Sequence, residues 1–245
     1  MPDQGADTRK VSPIDALSEA SRAYGEIGPT SEQPKWGMAV DVERCIGCWS
    51  CAVICKSEND VPLGMWWNRI LTEGDQLDTP SKGEFGELEM QLVPLACQHC
   101  EDPPCMKVCP TSATYVDHEH GGLVGVNQED CIGCRYCMAA CPYGVRVFNW
   151  GEPEYPVPDT DLGMVEARPI GSVEKCTMCV HRLEEGQVPS CVWSCPAQAR
   201  IFGDLNDPEG ELVHAIEDRG GKQLLEDKGT KPKVYYLEPR RRRSL

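Results

Sequence analysis

All sixteen cysteines of this 245-residue chain fall into four groups of four, and every group closes with the same C-x3-C step. The groups are Cys45, Cys48, Cys51 and Cys55; Cys97, Cys100, Cys105 and Cys109; Cys131, Cys134, Cys137 and Cys141; and Cys176, Cys179, Cys191 and Cys195. The third reads C-x2-C-x2-C-x3-C-P, ending at Pro142. That spacing turns three thiolates toward three corners of one [4Fe–4S] cube, while the fourth, one helical turn past Cys137, points toward a neighbouring cube. The coil needs a small residue where it tightens, which Gly133 supplies, and Pro142 stops it. One such run predicts a pair of clusters, so the position of the partner ligands organises the rest of the chain.

Two other uses of cysteine compete with this reading. A secreted disulfide framework needs an oxidising compartment. It has no reason to set three thiols within seven residues, because pairs three apart close loops too small to gain much entropy. Structural zinc uses C-x2-C, but in two pairs per ion and not as a triplet with an outlying fourth ligand. Groups one and three are near copies, Cys45-Ile-Gly-Cys48 against Cys131-Ile-Gly-Cys134, as repeated supersecondary units would be. With 3 Phe, 20 Pro and 40% hydrophobic residues, the chain has little material for a large aliphatic core, so the cysteines must help to hold it together. The formal net charge of −15 excludes the cysteines, and four oxidised clusters would add roughly 8 negative charges. A surface this acidic excludes general nucleic-acid binding.

No run is long and apolar enough to span a bilayer. Arg9 and Lys10 are followed by a mixed segment and not by the apolar core of a signal peptide. Residues 1–36 form a polar arm without cysteine, in which residues 12–24 could make a short helix with Ser12 as N-cap and Pro13 behind it. Residues 37–204 hold all the cysteines. A strand at 37–44 leads into group one, and strands at 68–72 and 86–93 flank the turn-rich residues 73–83 as an antiparallel hairpin. A second short hairpin is expected from 114–115 with 124–127, and a strand at 145–150. Residues 151–171, rich in proline and acid, read as a surface excursion. Residues 205–245 contain a helix at 212–226 and a basic tail, Arg240 to Arg243, suited to an anionic lipid or acidic partner if it is more than a solvated end. The fold class is α+β, with short helices and short antiparallel hairpins around the clusters.

In each pair of clusters, one group lends its last cysteine to the other's cluster, but spacing leaves two pairings open. Groups can pair sequentially, one with two and three with four, or in a nested way, one with four and two with three.

The pattern from about residue 37 to 204 resembles the four-cluster iron–sulfur subunits of the dimethyl sulfoxide reductase family of molybdenum and tungsten enzymes. The resemblance rests on Gln98-His99-Cys100-Glu-Asp-Pro-Pro-Cys105, Cys131-Ile-Gly-Cys134-Arg-Tyr-Cys137, Lys175-Cys176-Thr-Met-Cys179 and Pro189-Ser-Cys191. It implies two ferredoxin-like halves with nested pairing. One half has a cluster on Cys45, Cys48, Cys51 and Cys195 and another on Cys176, Cys179, Cys191 and Cys55. The other half has one on Cys97, Cys100, Cys105 and Cys141 and one on Cys131, Cys134, Cys137 and Cys109. Nitrate reductase-like members of the family have Trp at the second ligand of group three and a [3Fe–4S] cluster there. Cys134 therefore implies four [4Fe–4S] clusters.

A [4Fe–4S] centre carries one electron, and its potential is set by the charge, hydrogen bonding and exposure around its sulfurs. No HExxH, P-loop or dinucleotide fingerprint occurs, so the chain is expected to conduct electrons and not to catalyse. By resemblance its partners are a molybdopterin catalytic subunit and a membrane anchor or quinone-linked subunit. It would then be membrane-associated through them, on the extracytoplasmic face if exported folded, with a cytoplasmic place the alternative. A free polyferredoxin, or a hydrogenase or formate dehydrogenase subunit, is the competing reading. His99 and His181, and the cations Arg135, Lys175 and Arg182, adjoin ligands and could tune potentials. His118 and His120 fall in a solvated turn, and Trp49 and Trp193 within cysteine runs are expected to be buried.

Overall fold

The computed structural model describes residues 25–28, 30–72, 85, 92–152, 154 and 169–238. The expected helix at 12–24, the turn at 73–83 and the tail Arg240 to Arg243 lie outside the described residues. From the amino end, β1 (Trp36–Asp41) leads into α1 (Ser50–Glu58), and β2 (Arg69–Thr72) pairs antiparallel with β3 (Leu92–Leu95). Helix α2 (Pro104–Lys107) precedes the hairpin of β4 (Thr114–Asp117) and β5 (Leu123–Val126), and α3 (Tyr136–Ala140) follows it. Strand β6 (Val147–Phe148) pairs with β7 (Val173–Glu174). Then come α4 (Val180–Glu184), α5 (Ser190–Trp193), β8 (Arg200–Asp204), α6 (Glu211–Asp218), β9 (Lys222–Gln223) and β10 (Val234–Leu237). Both expected pairs of strands are present; of the expected strand at 86–93 only residues 92 and 93 are described, and they continue in strand to Leu95.

Strand β1 is buried along its whole length and paired on both edges, as its continuous run Trp-Gly-Met-Ala-Val-Asp allows. Strand β8 runs antiparallel beside it, with Met38 opposite Phe202, and β10 runs parallel on the other side, with Met38 opposite Val234. Strand β9 completes the sheet in the order β8-β1-β10-β9. Helix α6 covers it by burying Leu212 against Ala39 and Leu237. The helix ends at Asp218, short of the expected 226, because the Gly220-Gly221 pair follows and Gly220 takes φ 57°. The other buried hydrophobic clusters all contain cysteine: Cys51 and Cys191 in one, Cys97 and Cys100 in a second, Cys105 and Cys137 in a third, Cys55 in a fourth. The thiols therefore stand inside the packing, as the poor aliphatic content required.

Asp204, 4% exposed at the end of β8, fixes the segment that enters β1. Its carboxylate accepts from Ser31 N–H at 2.9 Å and Ser31 Oγ at 2.5 Å, from Lys35 N–H at 2.7 Å and from Asn206 N–H at 2.9 Å. Burial alone would raise its pKa, but these donors hold it below the usual value. The stabilisation is thus present above the unfolded pKa of about 3.9 and is lost only as pH falls through the lower folded value. Asp204→Ala should cost about 2 kcal/mol, or roughly 4–8 °C in unfolding midpoint. Because the group is ionised in both states there, thermal melts of the holoprotein should show the same deficit from pH 8 to pH 5.

Candidate metal centres

The two C-I-G-C turns fold alike. Gly47 and Gly133 take φ 66° and 67°, and the residues after the second cysteine, Trp49 and Arg135, take φ 63° and 62° before α1 and α3 begin. A β-carbon on Gly133 would sit 2.0 Å from the Gly171 carbonyl oxygen, so only glycine fits that turn. In α1, Cys51 and Cys55 are four residues apart and both buried. Helix α1 thus presents these two thiols inward at fixed spacing.

Three cavities collect twelve of the sixteen thiols. Cys55, Cys176, Cys179 and Cys191 line one, together with Cys97. Cys109, Cys131, Cys134 and Cys137 line a second, and Cys97, Cys100, Cys105 and Cys141 line a third. Of the remaining four, Cys45 feels Cys51 and Cys195 as neighbouring charges, while Cys48 is exposed. Burial, then the negative charge of Cys176, Cys179 and Cys191, pushes the Cys55 thiol well above its ordinary pKa. Burial, then Cys97, pushes both Cys100 and Cys176 up to about 12. Such thiols ionise together only when iron neutralises them.

The donor set fits a cluster and not a single ion. Among the described residues no three His, Cys, Asp or Glu side chains converge closely enough to hold one metal. The thiols are instead spread around cavity walls, as four irons each taking one thiolate require. Hydrogen-bond donors already aim at the sulfurs. The backbone N–H groups of Thr114, Met178 and Ala199 point at Cys109, Cys176 and Cys195 at 3.5, 3.4 and 3.3 Å. Asn59 Nδ2 lies 3.8 Å from Cys55 Sγ and 3.6 Å from Cys179 Sγ.

The other residues singled out in the sequence have varied settings. His99 is wholly buried, and its Nδ1 accepts from the Val124 N–H at 3.1 Å. Burial and then the cations Lys175 and Lys233 hold its pKa well below the ordinary value, so the ring is neutral. Lys175 is buried and donates to the carbonyls of Val124 and Cys176. His181 and Arg182 both reach Glu58, at 3.0 and 3.5 Å, tying α4 to α1. Arg135 stacks over Phe148 and Trp150, its guanidinium 5.3 and 4.6 Å from the ring centres. His120 is not merely solvated, since it meets Asp117 at 2.7 Å and Glu184 at 3.1 Å. Trp49 packs against the main core, whereas Trp193 is 46% exposed, its ring beside Gly25 and not over a sulfur.

Sequence reasoning missed two buried arginines, Arg146 and Arg200, each 4% exposed. The signal was available: both follow a cysteine–proline step as C-P-x3-R, from Cys141 and from Cys195.

Comparison with known proteins agrees with this picture. Residues 88–155 and 164–205 match the family model for a 4Fe-4S dicluster domain. The sequence is 53% identical, over 82% of its length and 78% of the relative's, to a Halobacterium salinarum protein described as a dimethyl sulfoxide reductase iron–sulfur subunit. It is 35% identical to the iron–sulfur subunit of the arsenate respiratory reductase of a Shewanella species, covering 82% and 95%. It is 38% identical to the iron–sulfur cluster-binding subunit of menaquinone reductase from Nitratidesulfovibrio vulgaris, covering 84% and 89%.

Proposed function

This protein belongs to the family of iron–sulfur subunits of dimethyl sulfoxide reductase-type oxidoreductases, and from that membership we propose that it relays single electrons between a molybdopterin catalytic subunit and a membrane quinone-linked subunit. It is the non-catalytic, electron-transfer part of such a complex. Each [4Fe–4S] cluster, when bound, takes up and releases one electron. The protein's own work is to ligate the clusters, keep water from their sulfurs and set their potentials.

The observation that carries this reading is the gathering of thiols from distant groups around shared cavities. It supports the nested ligand sets: Cys45, Cys48, Cys51 and Cys195; Cys55, Cys176, Cys179 and Cys191; Cys97, Cys100, Cys105 and Cys141; Cys109, Cys131, Cys134 and Cys137. The second and third sets adjoin, because Cys97 lines the second set's cavity and acts on Cys176. At the outer ends of the resulting row, Cys48 and Cys134 are exposed, flanked by Ile46 and Ile132 at 66% and 67% exposure. Exposed apolar side chains beside the terminal sites suit docking of protein partners. In this reading residues 37–204 form the four-cluster domain, residues 1–36 are an arm along a partner, and residues 205–245 extend the domain at its carboxyl end.

No described helix is long and apolar enough to cross a membrane. Membrane association then comes through the partners, and we place the complex on the extracytoplasmic face, as for family members exported folded with a catalytic subunit. Co-expression with the neighbouring subunits should give a complex containing about 16 irons per copy of this chain. Isolation as a stable monomer with the same iron would favour a polyferredoxin. Zinc in place of iron would overturn the reading.

A further inference from the structure

Arg146 and Arg200 hold equivalent places in the two halves. Each stands five residues beyond the last cysteine of its group and is almost wholly buried. In one half, Arg200 Nη1 lies 3.8 Å from Cys191 Sγ and Nη2 lies 3.6 Å from Cys51 Sγ. Nη2 also donates to Asn68 Oδ1 at 2.9 Å, which fixes the plane of the fork. In the other half, Arg146 Nη1 donates to Thr114 Oγ1 at 3.2 Å. Arg146 lines the cavity of Cys97, Cys100, Cys105 and Cys141, and its charge also acts on Cys137 of the neighbouring group. Arg146 Nη2 is buried with no hydrogen-bond partner among the described residues, leaving a donor for a sulfur-bearing ligand. Burying a guanidinium is unfavourable unless an anion meets it. The anions acting on Arg200 are first Cys191 and Cys51, and those acting on Arg146 are first Cys105 and Cys137. In each case the two cysteines come from different groups.

We propose that Arg146 and Arg200 are charge bridges, each standing between two neighbouring clusters of one half and raising the reduction potential of both. Reduction adds one negative charge to a cluster, and a fixed cation nearby favours that form. A cation shared by two clusters favours reduction of either and offsets their mutual repulsion when both are reduced. The inference rests on the proposed ligand sets, under which Cys51 and Cys191 serve different clusters of one half, as do Cys105 and Cys137.

The test is EPR-monitored redox titration of the complex, with iron counted, for Arg200→Gln, Arg200→Lys and the same pair at Arg146. Arg200→Gln should lower the reduction equilibrium of two centres by about tenfold each, about 59 mV for a one-electron couple. Arg146→Gln should do the same to the other two. The Lys variants, which keep the charge, should shift them by less than half as much. A variant with full iron and no shift, or a shift in one centre only, would overturn the bridge. If a Gln variant loses iron while its Lys counterpart keeps it, charge is needed to assemble the pair and the bridge stands; if both lose iron, the residue is packing and the proposal fails. An error in the ligand sets shows separately, in the cysteine variants discussed below, and would leave the two-centre shifts intact.

Discussion

A chain carrying Cys134→Trp should hold about 15 irons in place of about 16, and its oxidised form should gain a stoichiometric [3Fe–4S] signal in low-temperature EPR that the parent lacks. Three thiolates of the proposed set remain, Cys131, Cys137 and Cys109, so three corners stay ligated and the fourth loses its iron. The structural cost is small, because Cys134 is exposed. The functional cost is large: in the proposed row the altered centre is terminal, where electrons enter or leave, and quinol-linked turnover of the complex should fall about tenfold. A parent protein that already shows a full [3Fe–4S] signal would contradict the role given to Cys134.

Cys55→Ala should strip one cluster of a thiolate, converting or removing it so that about 12 to 15 irons remain, and break electron transfer between the partner subunits while both still bind. Cys55 is buried in α1 and shares a cavity with Cys176, Cys179 and Cys191, more than a hundred residues further along the chain. Nested pairing therefore predicts that Cys55→Ala and Cys179→Ala lose the same EPR signal. If Cys55→Ala instead matched Cys100→Ala, groups one and two would be partners and the nested sets would be wrong. The break falls inside the row and not at its end, which makes this the most damaging single change expected.

What was legible in the sequence was local. The four quartets could be read because ligation demands near neighbours, and Gly133 because its turn has space for no other residue. The hairpin of β4 and β5 was legible as two short strand-like runs flanking a turn. Contacts made across long stretches of chain were not legible. Nothing in the run Val-Tyr-Tyr-Leu of β10 says that it lies parallel to β1, and the helix expected at 212–226 is cut short at Asp218 by the glycine pair that follows. Arg146 and Arg200 were missed for a physical reason: an arginine is ordinarily at the surface, and only the thiols brought in from another group turn these two positions into buried sites. Trp193 erred the other way, since a tryptophan among cysteines looks interior until the helix direction turns it outward.

The double pairing of β1 also constrains how the chain comes off the ribosome. Its antiparallel neighbour is made some 160 residues later, and its parallel neighbour, Val234–Leu237, later still. Until then an apolar strand has two open edges, the state most prone to pair with another chain. Strand β1 is thus held incomplete until β10 has emerged, and a nascent chain stalled before residue 234 should remain a client of chaperones however many of its cysteines have already emerged.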